Sequence, residues 1–134
     1  MDAEGRGLFA RSLGHVTAEY TGQALDAALD DLGWADALSE DPATAIGLLF
    51  EHQGRANATS SALDRVLADA LGVEGPVVLP ALGGHLPPGD SRSVQGLGTA
   101  ALGSATAAAV VVTTSEGLIR AAVDMDHLQL RPVA

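Results

Sequence analysis

The sequence has no cysteine and no lysine, only four aromatic residues, and no long apolar run. Without cysteine there is no disulfide framework, no thiolate nucleophile and no cysteine-ligated metal, a composition that agrees with a reducing compartment. The longest apolar stretch, residues 105–113, is far too short to cross a bilayer. The opening Met1-Asp2-Ala3-Glu4 lacks the basic flank and apolar core of a signal peptide. A soluble, cytoplasmic protein is expected. At 134 residues the chain has room for one domain or two small subdomains, with about two thirds of its surface buried on folding.

Positive charge is also scarce. Seven arginines stand against 17 acids, a net charge of -10, which repels phosphate backbones and anionic lipid, so neither nucleic acid nor a membrane is expected as partner. The acidity is concentrated in residues 1–75, which hold 13 of the acids and four of the arginines.

What is present divides at about Gly75. Before it, Ala, Leu, Asp and Glu recur with apolar residues three and four apart, the helical period. Leu25, Ala28, Leu29 and Leu32 form one stripe, with Gly33 as a stop. Asp41-Pro42 predicts a helix start, because Asp caps free amides and Pro suits the first helical position. Ile46, Leu49 and Phe50 carry that helix to Gly54. Thr59 or Ser60 caps another, with Leu63, Val66, Leu67, Ala70 and Leu71 as its buried stripe and Gly72 as its end. Three or four helices are expected.

After Gly75 come β-branched runs: Val77-Val78-Leu79, residues 110–114, 118–123 and 128–133. Ser115-Glu116-Gly117 is short enough to close a hairpin and Met125-Asp126 another, while the segment 83–93, with Pro87-Pro88-Gly89-Asp90, reads as a loop. The pattern predicts an α+β fold, with a helical subdomain over 1–74 and an antiparallel β meander over 75–134.

Few residue groupings suggest chemistry. Gly96-Leu97-Gly98-Thr99-Ala100-Ala101 fits the loose dinucleotide pattern, with Glu116 twenty residues on. That motif needs a buried strand before it and a helix opening after it. Residues 91–95 make a poor buried strand, so close backbone approach is the better explanation of the glycines. His15, His52, His85 and His127 show no ligand spacing, and no metal site is expected. Glu51 and His52 are adjacent on a helix and diverge in direction. Asp124 and Asp126 flank a turn, where short carboxylates bond their own backbone. No Gly-x-Ser-x-Gly elbow occurs. Catalytic residues stay unknown.

The order of segments carries a resemblance. Residues 28–34, Ala-Leu-Asp-Asp-Leu-Gly-Trp, are similar to the "xLxxLGW" segment of acyl-CoA dehydrogenases, where a helix ends at Gly and the aromatic packs beneath the next turn. Glu51-His52-Gln53-Gly54-Arg55 resembles the family's "E-x-x-G-R" helix end, and residues 60–72 its following helix. Residues 96–107 are similar to its flavin-contacting strand pair, and 110–133 to the hairpin that follows.

The resemblance implies an acyl-CoA dehydrogenase-like fold without the C-terminal helical bundle, which the chain's length leaves no room for, and so without the catalytic glutamate. The implied cofactor-binding positions are Ala100, Leu102, Gly103 and Ser104. Ala100 stands where the family has an aromatic and Leu102 where it has Thr or Ser, so no FAD is expected on the isolated chain. The family's "T-E-x-x-A-G-S-D" loop is replaced by residues 79–84, Leu-Pro-Ala-Leu-Gly-Gly.

Three functions follow as expectations. The chain is a non-catalytic subunit that associates with a full-length flavin-dependent acyl-CoA dehydrogenase. Alternatively it is a cofactor-free enzyme or binding protein for an acyl thioester or other apolar substrate, or an FAD-dependent oxidoreductase of fatty acid metabolism completed by another chain or forming part of a longer one. A homo- or hetero-oligomer is expected, its interface centred on residues 97–133. Trp34 is expected to be buried between the two halves.

Overall fold

The computed structural model describes residues 1–133. Ala134, the last residue of the expected β subdomain, lies outside the described residues. The fold is α+β, with five α-helices and a mixed, open three-stranded sheet. The chain divides into two compact units, Met1–Ala62 and Leu63–Ala134.

The first unit is built from α1 (Ala3–Glu19), α2 (Gln23–Leu32), α3 (Trp34–Glu40) and α4 (Pro42–Ala56). Asp2 caps α1 by accepting the Gly5 amide at 2.7 Å, one of the donors a helix start leaves unpaired. The stop at Gly33 is real: the residue adopts left-handed φ +79°, which glycine takes without penalty. Trp34 begins the next helix at once, which brings the count to five rather than three or four. Asp41 accepts the Thr44 amide at 3.3 Å, with Pro42 as first helical residue. The helix runs past Gly54 to Ala56, because Asn57 supplies the left-handed cap at φ +51°.

The unit's core is made of large side chains: Leu13, Leu25, Leu29, Leu38, Leu48, Leu49 and Trp34. Trp34 is 1% exposed, and its Nε1 donates to the Ala45 carbonyl at 3.1 Å. The indole is thus held inside this unit, packed at the α2–α3 junction and bonded to α4.

The second unit holds most of α5 (Ala62–Leu71) and the strands β1 (Val77–Val78), β2 (Ala107–Thr114) and β3 (Gly117–Asp124). Helix α5 ends at Gly72, φ +64°. Its buried positions differ from the expected stripe: Ala62 and Asp64 are buried, whereas Leu63 is exposed. Asp64 lies off the expected stripe, and its carboxylate is buried because it has two donors to satisfy it, described below.

The sheet departs from the expected antiparallel meander. Its order is β1-β2-β3, with β2 antiparallel to β3 but parallel to β1. A parallel pair needs a long crossover, and the whole segment 79–106 supplies it. Within that segment Gly89 bridges to both Val94 and Val112, and Leu79 to Leu97. The β2–β3 hairpin closes at Ser115-Glu116-Gly117 as expected, Gly117 taking φ +113°. The second hairpin does not form. After Asp124 the chain enters a 3-10 helix, Met125–His127, and residues 128–133 pair with no strand among the described residues. Asp124 caps this turn by accepting the Asp126 amide at 3.0 Å, and Pro132 has no amide to give a ladder. Residues 110–114 lie in the central strand β2, and β3 forms an open edge of the sheet.

Candidate functional site

The positions implied as flavin-contacting lie on a 3-10 helix, Ala100–Ser104, and not on a strand. Thr99 starts it by accepting the Ala101 amide at 3.3 Å. Leu102 is buried in the cluster of Val78, Ala108, Val110 and Val112, so its side chain is part of the sheet core. Ala100, Gly103 and Ser104 are exposed, the Ser104 hydroxyl donating to the Ala101 carbonyl at 3.4 Å. No extended face for an aromatic ring exists along these residues, and they do not fit a flavin. The glycine pattern at 96–101 has the close-approach role: a Cβ on Gly96 would collide with the Leu79 carbonyl, and one on Gly98 with the Leu102 side chain.

Several of the acids and one of the histidines singled out above have local partners. Glu51 pairs with Arg55 at 2.5 Å and His15 with Glu19 at 3.1 Å, each one helical turn apart. His52 lies against Gly14. Asp90 Oδ1 accepts the Arg92 and Ser93 amides at 2.8 and 2.9 Å, and these bonds hold its carboxyl below the usual aspartate range. The amides of Arg92 and then Ser93 favour the ionised form. Asp41 is likewise lowered, by its bonds from Thr44. No group of three or more His, Cys, Asp or Glu side chains able to hold a metal occurs among the described residues. No helix among them is long and apolar enough to cross a membrane.

One carboxylate went unnoticed in the sequence. Asp64 is only 6% exposed; its Oδ1 accepts the Val77 amide at 3.0 Å and its Oδ2 the Thr99 hydroxyl. A single side chain therefore fastens α5 to β1 and to the start of the 3-10 helix. Its only sequence signal is an acid at a position of α5 that faces the sheet, which periodicity alone assigns to solvent.

Two open hollows flank Arg120 on the β2–β3 hairpin. There Arg120 of β3 reaches back so that its Nη1 donates to the Leu71 carbonyl at the end of α5. A hollow of about 410 Å³ lies on one side, floored by Ala107, Ala109 and Ala122 and bordered by Gly72 and Glu74. A second of about 500 Å³, lined by Leu71, Val111, Leu118 and Ile119, lies on the other. Both are open, and alanine gives the first a flat floor. Leu118 and Ile119 beside them are 66% and 46% exposed. Such a surface supports contact with another molecule; the groups that border it are one guanidinium, one carboxylate and aliphatic carbon. Scans against protein-family models, curated proteins and solved structures return no match for this chain.

Proposed function

We propose that this chain is a non-catalytic, acyl-CoA dehydrogenase-like subunit of the cytoplasm that works by association with a flavin-dependent acyl-CoA dehydrogenase, which supplies the FAD. The observation that carries the association is the distribution of exposed apolar side chains. Leu82, Leu86, Leu118, Ile119, Leu130 and Val133 all stand out from the second unit, on a loop, a strand and the 128–133 segment, and apolar exposure of this extent marks interaction surfaces. The family part of the reading is supported by the residues that carry the resemblance. Gly33 ends a helix with Trp34 buried just beyond it, Glu51 and Arg55 sit in the last turns of α4, and a hairpin occupies 107–124.

The test is a tagged copy of the chain, isolated under native conditions and scanned for flavin absorbance and acyl-CoA-dependent dye reduction. The chain alone is expected to be colourless and to show no saturable FAD binding by calorimetry. The material it retains should be yellow and active. A one-to-one FAD complex of the chain alone would favour the dehydrogenase alternative, and retained material without flavin would end the proposal.

A further inference from the structure

The ladder gives β3 two unequal sides. On β2 the amides of Ala109 and Thr113 donate to Pro76 and Gly89, away from β3. Ala109↔Ala122 and Thr113↔Leu118 are therefore the non-hydrogen-bonded pairs of the hairpin. It follows that the N–H and C=O groups of Leu118, Arg120, Ala122 and Asp124 point out of the open edge, with their side chains alternating onto one face. Of these four, only Arg120 and Asp124 are charged. They are opposite in sign and equally spaced about Ala122.

We infer that the β3 edge pairs antiparallel with the β3 edge of a second copy of this chain, about a two-fold axis at Ala122, joining two three-stranded sheets into one. In that register Arg120 lies opposite the partner's Asp124, and the reverse pair repeats across the axis, as a self-complementary interface requires. Cross-strand pairs of opposite charge stabilise a sheet and like charges directly opposite destabilise it. A register centred on Arg120 would oppose two guanidinium groups, and one centred on Ala121 would set Arg120 against Ala122 and Asp124 against Leu118, with neither charge paired. Charge thus selects Ala122 for the axis, where a methyl side chain lets the strands approach.

Both charged groups have capacity for the pairing. Arg120 has further donors beyond the one bound to Leu71, and that bond pre-positions the guanidinium. Asp124 uses Oδ1 on the Asp126 amide, which leaves Oδ2. Residues 76–134 hold four acids and three arginines, so the paired region escapes most of the repulsion that the chain's net charge would impose.

This inference goes beyond the proposed function, and its test uses the chain alone. Light scattering over a concentration series is expected to reach twice 13.5 kDa. Ala122→Pro removes an amide with no partner among the described residues, a substitution edge strands tolerate, and should leave the circular dichroism unchanged while holding the mass at 13.5 kDa. Because the chain has no cysteine, single thiols report the register under mild oxidation: Ala122→Cys should link copies readily and Leu118→Cys should not. A monomer at every concentration, an Ala122→Pro variant that still doubles its mass, or equal linking at 118 and 122 would each overturn the inference. If Ala122→Pro misfolds, the thiol pair decides alone.

Discussion

The two units use opposite means to build a core. The first buries six leucines and one tryptophan and puts its acids on the wet sides of helices. The second has a core of alanine and valine around Leu102, a buried aspartate as a fastener, and most of the chain's exposed large apolar residues. Large interlocked side chains make a unit that is complete in itself. A thin sheet with small residues and an unpaired strand leaves apolar surface and backbone donors for something else to cover. In the proposed function, this contrast would put the association on the second unit.

The sharpest way to break this contrast is to remove the first unit's largest core element. Trp34→Ala is expected to cost about 3–5 kcal/mol, the usual range for deleting a buried aromatic, and also removes the indole bond to the Ala45 carbonyl. Urea unfolding followed by circular dichroism checks it; a loss within error of zero would mean the indole is not the centre of that core.

The second unit's counterpart is Asp64. Asp64→Ala leaves the buried Val77 amide unpaired, an expected loss of about 1–3 kcal/mol, and Asp64→Asn should recover part of it because its carbonyl still accepts one donor. Loosening of β1, seen as faster amide exchange at Val77 and Val78, should accompany the Ala variant. Gly96→Ala tests the same unit by overpacking, since the new methyl meets the Leu79 carbonyl; about 1–3 kcal/mol is expected.

The smallest effect is one of pH. The carboxyls of Asp41 and Asp90 are held below the usual aspartate range by hydrogen bonds from Thr44 and from Arg92 and Ser93. A carboxyl lowered in the folded state adds stability above its unfolded pKa, and that stability is lost as pH falls through the folded value. The melting temperature should therefore drop on acidification from the ordinary aspartate pKa, about 3.9, to more acid pH. The drop should be shallower in Asp41→Asn for the first unit and in Asp90→Asn for the second. A slope unchanged by either substitution would show that these caps do not titrate with folding.

The sequence made the local features legible, and the reason is physical. Gly33, Asp41-Pro42, Gly72 and the 115–117 turn act through their own backbone conformations, so they can be read one residue at a time. Partner choice cannot. Nothing in Val77-Val78 says that it lies parallel to β2, because that depends on where the crossover 79–106 returns the chain. Residues 128–133 have the composition of a strand but no neighbour to pair with among the described residues. Asp64 carries no local signal because its two donors, Val77 and Thr99, are 13 and 35 residues away. The positions implied by the flavin-strand resemblance became a 3-10 helix for the same reason: Thr99 is tied to Asp64, and Leu102 is drawn into the core.

The claim that the second unit is the associating one is tested most directly at the amides of β3. Ile119, Ala121 and Val123 donate toward β2 and should exchange slowly at every concentration. Arg120, Ala122 and Asp124 point outward and should exchange fast when the chain is dilute, then become protected as its concentration rises. Residue-resolved hydrogen exchange at two concentrations reads both sets. Protection gained at 120, 122 and 124 alone is the expected result; fast exchange of those three amides at both concentrations would contradict it.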